Sequence, residues 1–200
     1  MSKREELTKL REEMLKDDLL PLKNGATNLV FGNGTPNSKI LFIGEGPGFN
    51  EDQQGLPFVG AAGKLLDKTL ESIGLHRKDV FVTNVVHHRP PENRDPLPEE
   101  LGAYGKYLDK IIEIIKPKVI VTLGRFSMGK FLSEVKISTV HGKEKRIKWH
   151  NLNLVVVPMY HPAAALRNGN MMTSFKEDFL KLPKIIEENT KEEMKQDSLI

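Results

Sequence analysis

The chain has no cysteine. That absence excludes disulfides, thiol nucleophiles, cysteine-ligated zinc and any cysteine-held iron–sulfur cluster. Long apolar runs are also missing. The longest are 154–159 (LVVVPM) and 119–123 (VIVTL), far short of the roughly 20 residues that cross a bilayer as a helix. No membrane attachment is expected. The opening residues, MSKREELTKLREEM, are charged and helical in pattern, unlike a secretory leader, so an intracellular, cytoplasmic location is expected. An excess of one charge is lacking too, since 30 Lys+Arg face 27 Asp+Glu, a net of +3. The distribution is more telling. Residues 41–115 hold 8 basic and 12 acidic side chains, and residues 116–148 hold 9 basic and 2 acidic. Such segregation suits a polyanion partner over one surface, or a solubilising face.

What is present reads as an α/β layered fold. At 200 residues, 38% apolar and 28% charged, the chain is long enough for one domain with a real core. An amphipathic helix is expected over 3–16, with Leu7, Leu10, Met14 and Leu15 on one face. Apolar strands are expected at 39–43, 79–86, 118–123 and 154–159, with a weak strand at 145–149. Helices are expected at 60–73, 99–115, 125–134 and 173–189. Strands alternating with helices predict a three-layer fold, a mainly parallel four-stranded sheet flanked by helices. Ligands of such sheets sit beyond the carboxyl ends of the strands. Every unusual polar segment falls at such an end, which predicts one active site assembled from four loops.

Four segments carry the chemistry. Gly44-Glu45-Gly46-Pro47-Gly48 is a glycine-rich turn after a strand, followed by Glu51 and Asp52. It lacks the lysine and spacing of a phosphate loop. Three acids within eight positions suit a cation-like centre or water activation. Gly55-Leu56-Pro57-Phe58-Val59-Gly60 leads into a helix; Phe58 reads either as core or as a stacking platform for a planar ring. Asn84 ends a buried strand before a proline-rich loop. Its amide offers a donor and an acceptor together, matching a pyrimidine edge. His87 and His88, adjacent on an extended chain, point opposite ways and do not share a metal. His161, held extended by Pro162, is either a loop histidine bonded to backbone or a group that stabilises an anion or shuttles a proton.

Taken together, GEGPGFNED, GLPFVGAAGKLL, TNVVHHRPPENRDP and HPAAALR resemble, in order and spacing, the motifs of the uracil-DNA glycosylase superfamily, specifically family 4. The resemblance runs from about residue 17 to residue 180. It implies a base-excising repair enzyme that acts on uracil-containing DNA, a sheet wrapped by helices, a monomer, and a nucleoid-associated location. It implies that Phe58 stacks on a flipped uracil and Asn84 reads its edge. It implies that backbone amides of the Glu45–Gly46 turn hold the base, and that Glu51 crowds out thymine's methyl group. His161 faces the uracil O2, and Glu45 orients water or stabilises the sugar cation. Leu166 and Arg167 enter the DNA groove. The basic stretch 116–148 then faces phosphates. The domain is expected to occupy 1–190, with 191–200 a frayed tail.

The sequence departs from the family in two ways. Most relatives hold a four-iron cluster through four cysteines. Their positions correspond here to Asp17, Leu20, His88 and Tyr104, so no cofactor is expected. Leu20 and Tyr104 are expected to fill the space, with His88 hydrogen-bonded to Asp17. The second departure concerns relatives that attach covalently to uracil-DNA through a histidine on a long basic insertion. That insertion is missing, which favours turnover. Two alternatives remain: a non-catalytic or covalent uracil-DNA binding protein, and a glycosylase for another deaminated base.

Overall fold

Four short apolar strands, buried on both faces, form the centre of the molecule. The computed structural model describes residues 1–190; the expected frayed tail lies outside them. The chain runs through α1 (Lys3–Lys16), β1 (Asn33–Gly34), β2 (Ile40–Gly44), α2 (Phe49–Gln54), α3 (Ala61–Ser72), β3 (Phe81–Asn84) and α4 (Pro98–Ile115). It continues through β4 (Val119–Leu123), α5 (Arg125–Gly129), α6 (Ile137–Val140), β5 (Lys145–Trp149), β6 (Leu152–Met159), α7 (Pro162–Arg167) and α8 (Gly169–Thr190). The sheet order is β1-β3-β2-β4-β6-β5. The inner four strands are parallel, and β1 and β5 add antiparallel edges. The expected four-stranded parallel centre is therefore extended to a six-stranded mixed sheet.

Alternation along each strand feeds two cores, because successive side chains point to opposite faces. Leu41 and Ile43, with Ile120 and Val156, face α4 residues Leu108, Ile111 and Ile112. Ile40 and Phe42, with Val121 and Val157, face Leu66 of α3 and Phe175 and Phe179 of α8. Each such side chain, fully buried, contributes about 1.5–3 kcal/mol, so neither face is dispensable. A capping box starts α1: the Ser2 hydroxyl accepts from the Glu5 N–H, and the Glu5 carboxylate accepts from the Ser2 N–H. The helix then buries Leu7, Leu10 and Met14 against the α4 side. Proline opens α4 and the left-handed Lys116, followed by Pro117, closes it.

Several boundaries differ from the sequence reading. The helices α2, α6 and α7 are four to six residues long, too short to show a helical period. The helix expected over 125–134 stops at Gly129. The strand expected over 79–86 is regular only from Phe81 to Asn84. Beyond it, Val85 and Val86 still donate to the carbonyls of Gly44 and Glu45, which ties the two site loops together.

The four positions that correspond to cluster cysteines lie between the α1 end and α4, and they offer no thiolate. Leu20 and Tyr104 are buried in the core. The Tyr104 hydroxyl lies 2.8 Å from His88 Nδ1. The expected His88–Asp17 bond is not formed. Asp17 instead accepts from the Tyr107 hydroxyl at 2.6 Å and from Lys106 Nζ at 2.9 Å, which together hold its pKa down at about 2. An aromatic hydroxyl one turn further along α4 simply reaches Asp17 first. A four-iron cluster does not fit this set, because packing and hydrogen bonds already occupy it. Tyr104→Phe removes the hydroxyl that pairs with His88. We expect it to cost about 1–3 kcal/mol of stability, read as a lower urea midpoint.

Candidate active site

The chain moves from β2 to β3 on one side and then crosses back to β4 on the other, so β2 and β4 flank the crevice where ligands of open α/β sheets bind. A cavity of about 330 Å3 opens there, at the carboxyl ends of the strands. Its wall includes Glu45, Gly46, Glu51, Phe58, Asn84 and His161, with Arg167 at its edge. Of the expected site residues, Leu166 and the acid Asp52 are absent from this wall. Leu166 is an exposed residue of the short helix α7.

Asn84 sits at the last position of β3, paired in register with Gly44 of β2. It is 1% exposed, yet its Oδ1 has no hydrogen-bond partner among the described residues. Burying an amide oxygen unpaired costs about 1–3 kcal/mol, so the fold holds this group in readiness for something absent from its own chain. Gly44 makes the arrangement possible. A Cβ there would lie 2.4 Å from Asn84 Oδ1 and 2.5 Å from Phe58 Cζ. We expect Gly44→Ala to displace both side chains and lower the urea midpoint, checked by equilibrium unfolding. Overpacking of this kind costs about 1–3 kcal/mol.

Phe58 is buried and adopts a left-handed backbone, φ +54°, a conformation that bulky residues rarely accept. Its ring lies 5.7 Å from the His161 ring, inclined by 29°. A base sandwiched between two rings needs about twice the 3.4 Å stacking rise. The two rings are therefore too close for a third planar ring to lie between them. His161 caps α7, and its Nδ1 accepts from the Ala163 N–H at 3.1 Å. That bond leaves the proton of the neutral ring on Nε2, as a donor. Burial first, and the nearby Arg167 second, push the His161 pKa down to about 4, so the ring is neutral at pH 7.

Glu45 follows β2, and its Oε1 accepts from the Phe126 N–H at 3.1 Å. The absence of a side chain at Gly124 makes room for this carboxylate, since a Cβ there would lie 2.3 Å from Oε1. Burial raises the Glu45 pKa above its ordinary value; the Phe126 N–H opposes this and Asp95 adds to it. Glu51 also reaches the cavity, but its Oε1 is engaged, accepting from the Val59 and Gly60 N–H groups at 2.9 and 2.8 Å. Asp52, expected as the third acid of the site, turns away. It is buried and accepts from the N–H groups of Thr27 and Asn28. Its i+1 position after Glu51 puts it on another face of α2.

Sequence reading identified no individual residue of the 90–96 loop as part of the site, yet Pro90, Asn93, Arg94, Asp95 and Pro96 line the cavity. Arg94 is fixed by a two-pronged bond to Glu100, at 2.6 and 2.9 Å, and Asp95 by Arg125. The alternating charges in this stretch were the available signal. The basic stretch is partly engaged as well: Lys130 pairs with Asp109 and Arg125 with Asp95, while Lys145 and Lys148 are exposed on the edge strand β5.

The model of the Uracil DNA glycosylase superfamily matches residues 31–182, and the chain belongs to that superfamily. Within it, the chain is similar to the type-4 uracil-DNA glycosylases. It is 47% identical to that of Sulfurisphaera tokodaii over 88% of this chain and 83% of the relative. The Archaeoglobus fulgidus protein is 42% identical over 89% and 92%, and the Saccharolobus solfataricus protein 42% over 86% and 83%.

Proposed function

We propose that this chain is a monofunctional uracil-DNA glycosylase, hydrolysing the N-glycosidic bond of uracil in DNA to leave an abasic site. The observation that carries the reading is Asn84: a buried amide with an unpartnered oxygen, facing a cavity beside a presented aromatic ring. The type-4 names of the relatives support the same substrate.

The target base is extruded from the duplex into the cavity. Phe58 supports its face, and the Asn84 amide accepts from uracil N3–H and donates to O4, a pairing that cytosine reverses. Backbone at Gly46 borders the base, and Glu51 occupies the C5 side. As the glycosidic bond lengthens, the electron pair collects on the uracil ring and positive charge on the sugar. The neutral His161 donates from Nε2 to O2, where negative charge gathers, at no cost of prior reorganisation. The Glu45 carboxylate faces the sugar side, stabilising its cation or orienting the water that adds to C1′. Leu166 and Arg167 on α7 contact the DNA, and exposed lysines of 116–148 meet its phosphates. We propose a monomer, located in the cell with its DNA. Among the described residues no helix is long and apolar enough to cross a membrane.

Incubation with a single-uracil oligonucleotide, then alkaline cleavage at abasic sites, tests the proposal. Cleavage above a thymine-containing control is expected. Retention on a gel without product would replace hydrolysis with binding, and a denaturant-resistant adduct would mean covalent capture. Cleavage only of oligonucleotides that carry hypoxanthine or xanthine, at those bases, would move the specificity to another deaminated base.

A further inference from the structure

We propose that Arg77, which does not itself line the cavity, is a positioning residue for the base platform. With Glu51 it clamps the Pro57–Gly60 turn and holds Phe58 in the conformation that presents its ring. This rests on Phe58 serving as the platform.

The turn poses a physical problem. Phe58 has φ +54°, and the backbone groups around it belong to no sheet or helix. A strained conformation of this kind persists only where its surroundings over-determine it. Two charged side chains do so from opposite sides. Arg77 Nη2 donates to the Pro57 carbonyl at 2.6 Å and reaches the Phe58 carbonyl at 3.5 Å. Glu51 Oε1 accepts from the next two N–H groups, Val59 and Gly60. The cation thus holds the carbonyls and the carboxylate holds the amides. The absence of a side chain at Gly63 lets the Phe58 carbonyl sit against α3, since a Cβ there would lie 1.8 Å from that oxygen.

The Arg77 guanidinium is specifically committed. Its carbon lies 5.9 Å from the Phe58 ring centroid. Its nearest acid, Asp67, is 3.4 Å from Nη1, and neither of those two atoms makes a hydrogen bond. An arginine kept for a surface ion pair would reverse these preferences. Arg77 also belongs to the short turn at 77–79 that leads into β3, the strand that ends at Asn84. One side chain therefore ties the platform to the element carrying the base-reading amide. Glu51 acquires a second duty here: it holds the turn as well as bordering the base.

The test uses Arg77→Met, which keeps the stem and removes the fork, and Arg77→Lys, which restores one donor. Two readouts separate positioning from general stability. The first is a double-mutant cycle with Phe58→Ala. Arg77→Met is expected to lower kcat/KM about tenfold in the wild-type background and less than twofold in the Phe58→Ala background, with Arg77→Lys intermediate. The second is hydrogen exchange of the Val59 and Gly60 amides, expected to accelerate at least tenfold in Arg77→Met while exchange in β2 and β4 is unchanged. Equal fold-losses in both backgrounds, or unchanged exchange at 59 and 60, would overturn the proposal. If wild-type protein excises no uracil, the glycosylase reading fails, and the exchange measurement still decides whether Arg77 holds the turn. Should Arg77→Met not fold, the exchange comparison is made on Arg77→Lys, with the same two outcomes.

Discussion

Asn84→Ala is expected to lower kcat/KM on a single-uracil oligonucleotide by a hundredfold or more. The amide is the group in the cavity that offers a donor and an acceptor side by side at the end of a buried strand. In a site built to hydrogen-bond its ligand, a lost partner is felt strongly, because the ligand's polar edge is then buried unpaired. Two hydrogen bonds at stake, in a water-poor pocket, correspond to about 3 kcal/mol or more, hence the factor. Stability should move the other way. The Asn84 Oδ1 is buried without a partner in the protein, so its removal takes away a desolvation penalty. The urea midpoint of Asn84→Ala is expected to be no lower than that of wild type. Single-turnover excision and equilibrium unfolding on the same preparations check both halves. Near-wild-type excision would remove Asn84 from base recognition, and a collapsed midpoint would make it a structural residue instead.

The strands and the site segments were legible for one reason. A parallel sheet buried on both faces writes its strands as continuous apolar runs, and its ligands must bind where those runs stop. Ile40–Gly44, Phe81–Asn84 and the 154–159 run end at polar segments that line the cavity, whereas Val119–Leu123 ends at Gly124, which makes room for Glu45 without lining the cavity itself. Edge strand β1 left no trace, because two residues, Asn33 and Gly34, carry no pattern. Neither did the reach of long side chains. Arg77 is 20 residues from Pro57 in sequence and meets it only through the fold. Asp52 looked like Glu51's companion, but helical geometry turns it toward Thr27. The same limit explains His88: among several polar side chains near Asp17, only coordinates show that Tyr107 reaches it and that His88 turns to Tyr104.

His161→Ala is expected to reduce kcat by about 100- to 1,000-fold, the loss typical of one preorganised donor to a developing oxyanion. The argument turns on charge state. With its pKa held near 4, His161 is neutral across the working range. The rate profile between pH 5.5 and 8 should therefore show no limb at the ordinary histidine value of about 6.5. A neutral donor is replaceable in kind, so His161→Asn should retain more activity than His161→Ala. A limb near 6.5 that vanishes in His161→Ala would mean a charged imidazolium acts instead. The same depressed pKa fixes the sign of the stability effect. Between about pH 6.5 and 4 the unfolded chain protonates this histidine while the folded chain does not. Stability from this group is complete above the unfolded value and is lost as the pH falls, by up to about 1.4 kcal/mol per pH unit. His87, pushed by burial to about 3, and His88, to about 4, add slopes of the same sign. Glu45, with its raised pKa, opposes them just above its unfolded value. Urea midpoints at pH 7 and pH 5 are expected to differ less in His161→Ala than in wild type. Loss of activity together with that flattened pH response would place one neutral, half-buried imidazole at the origin of both.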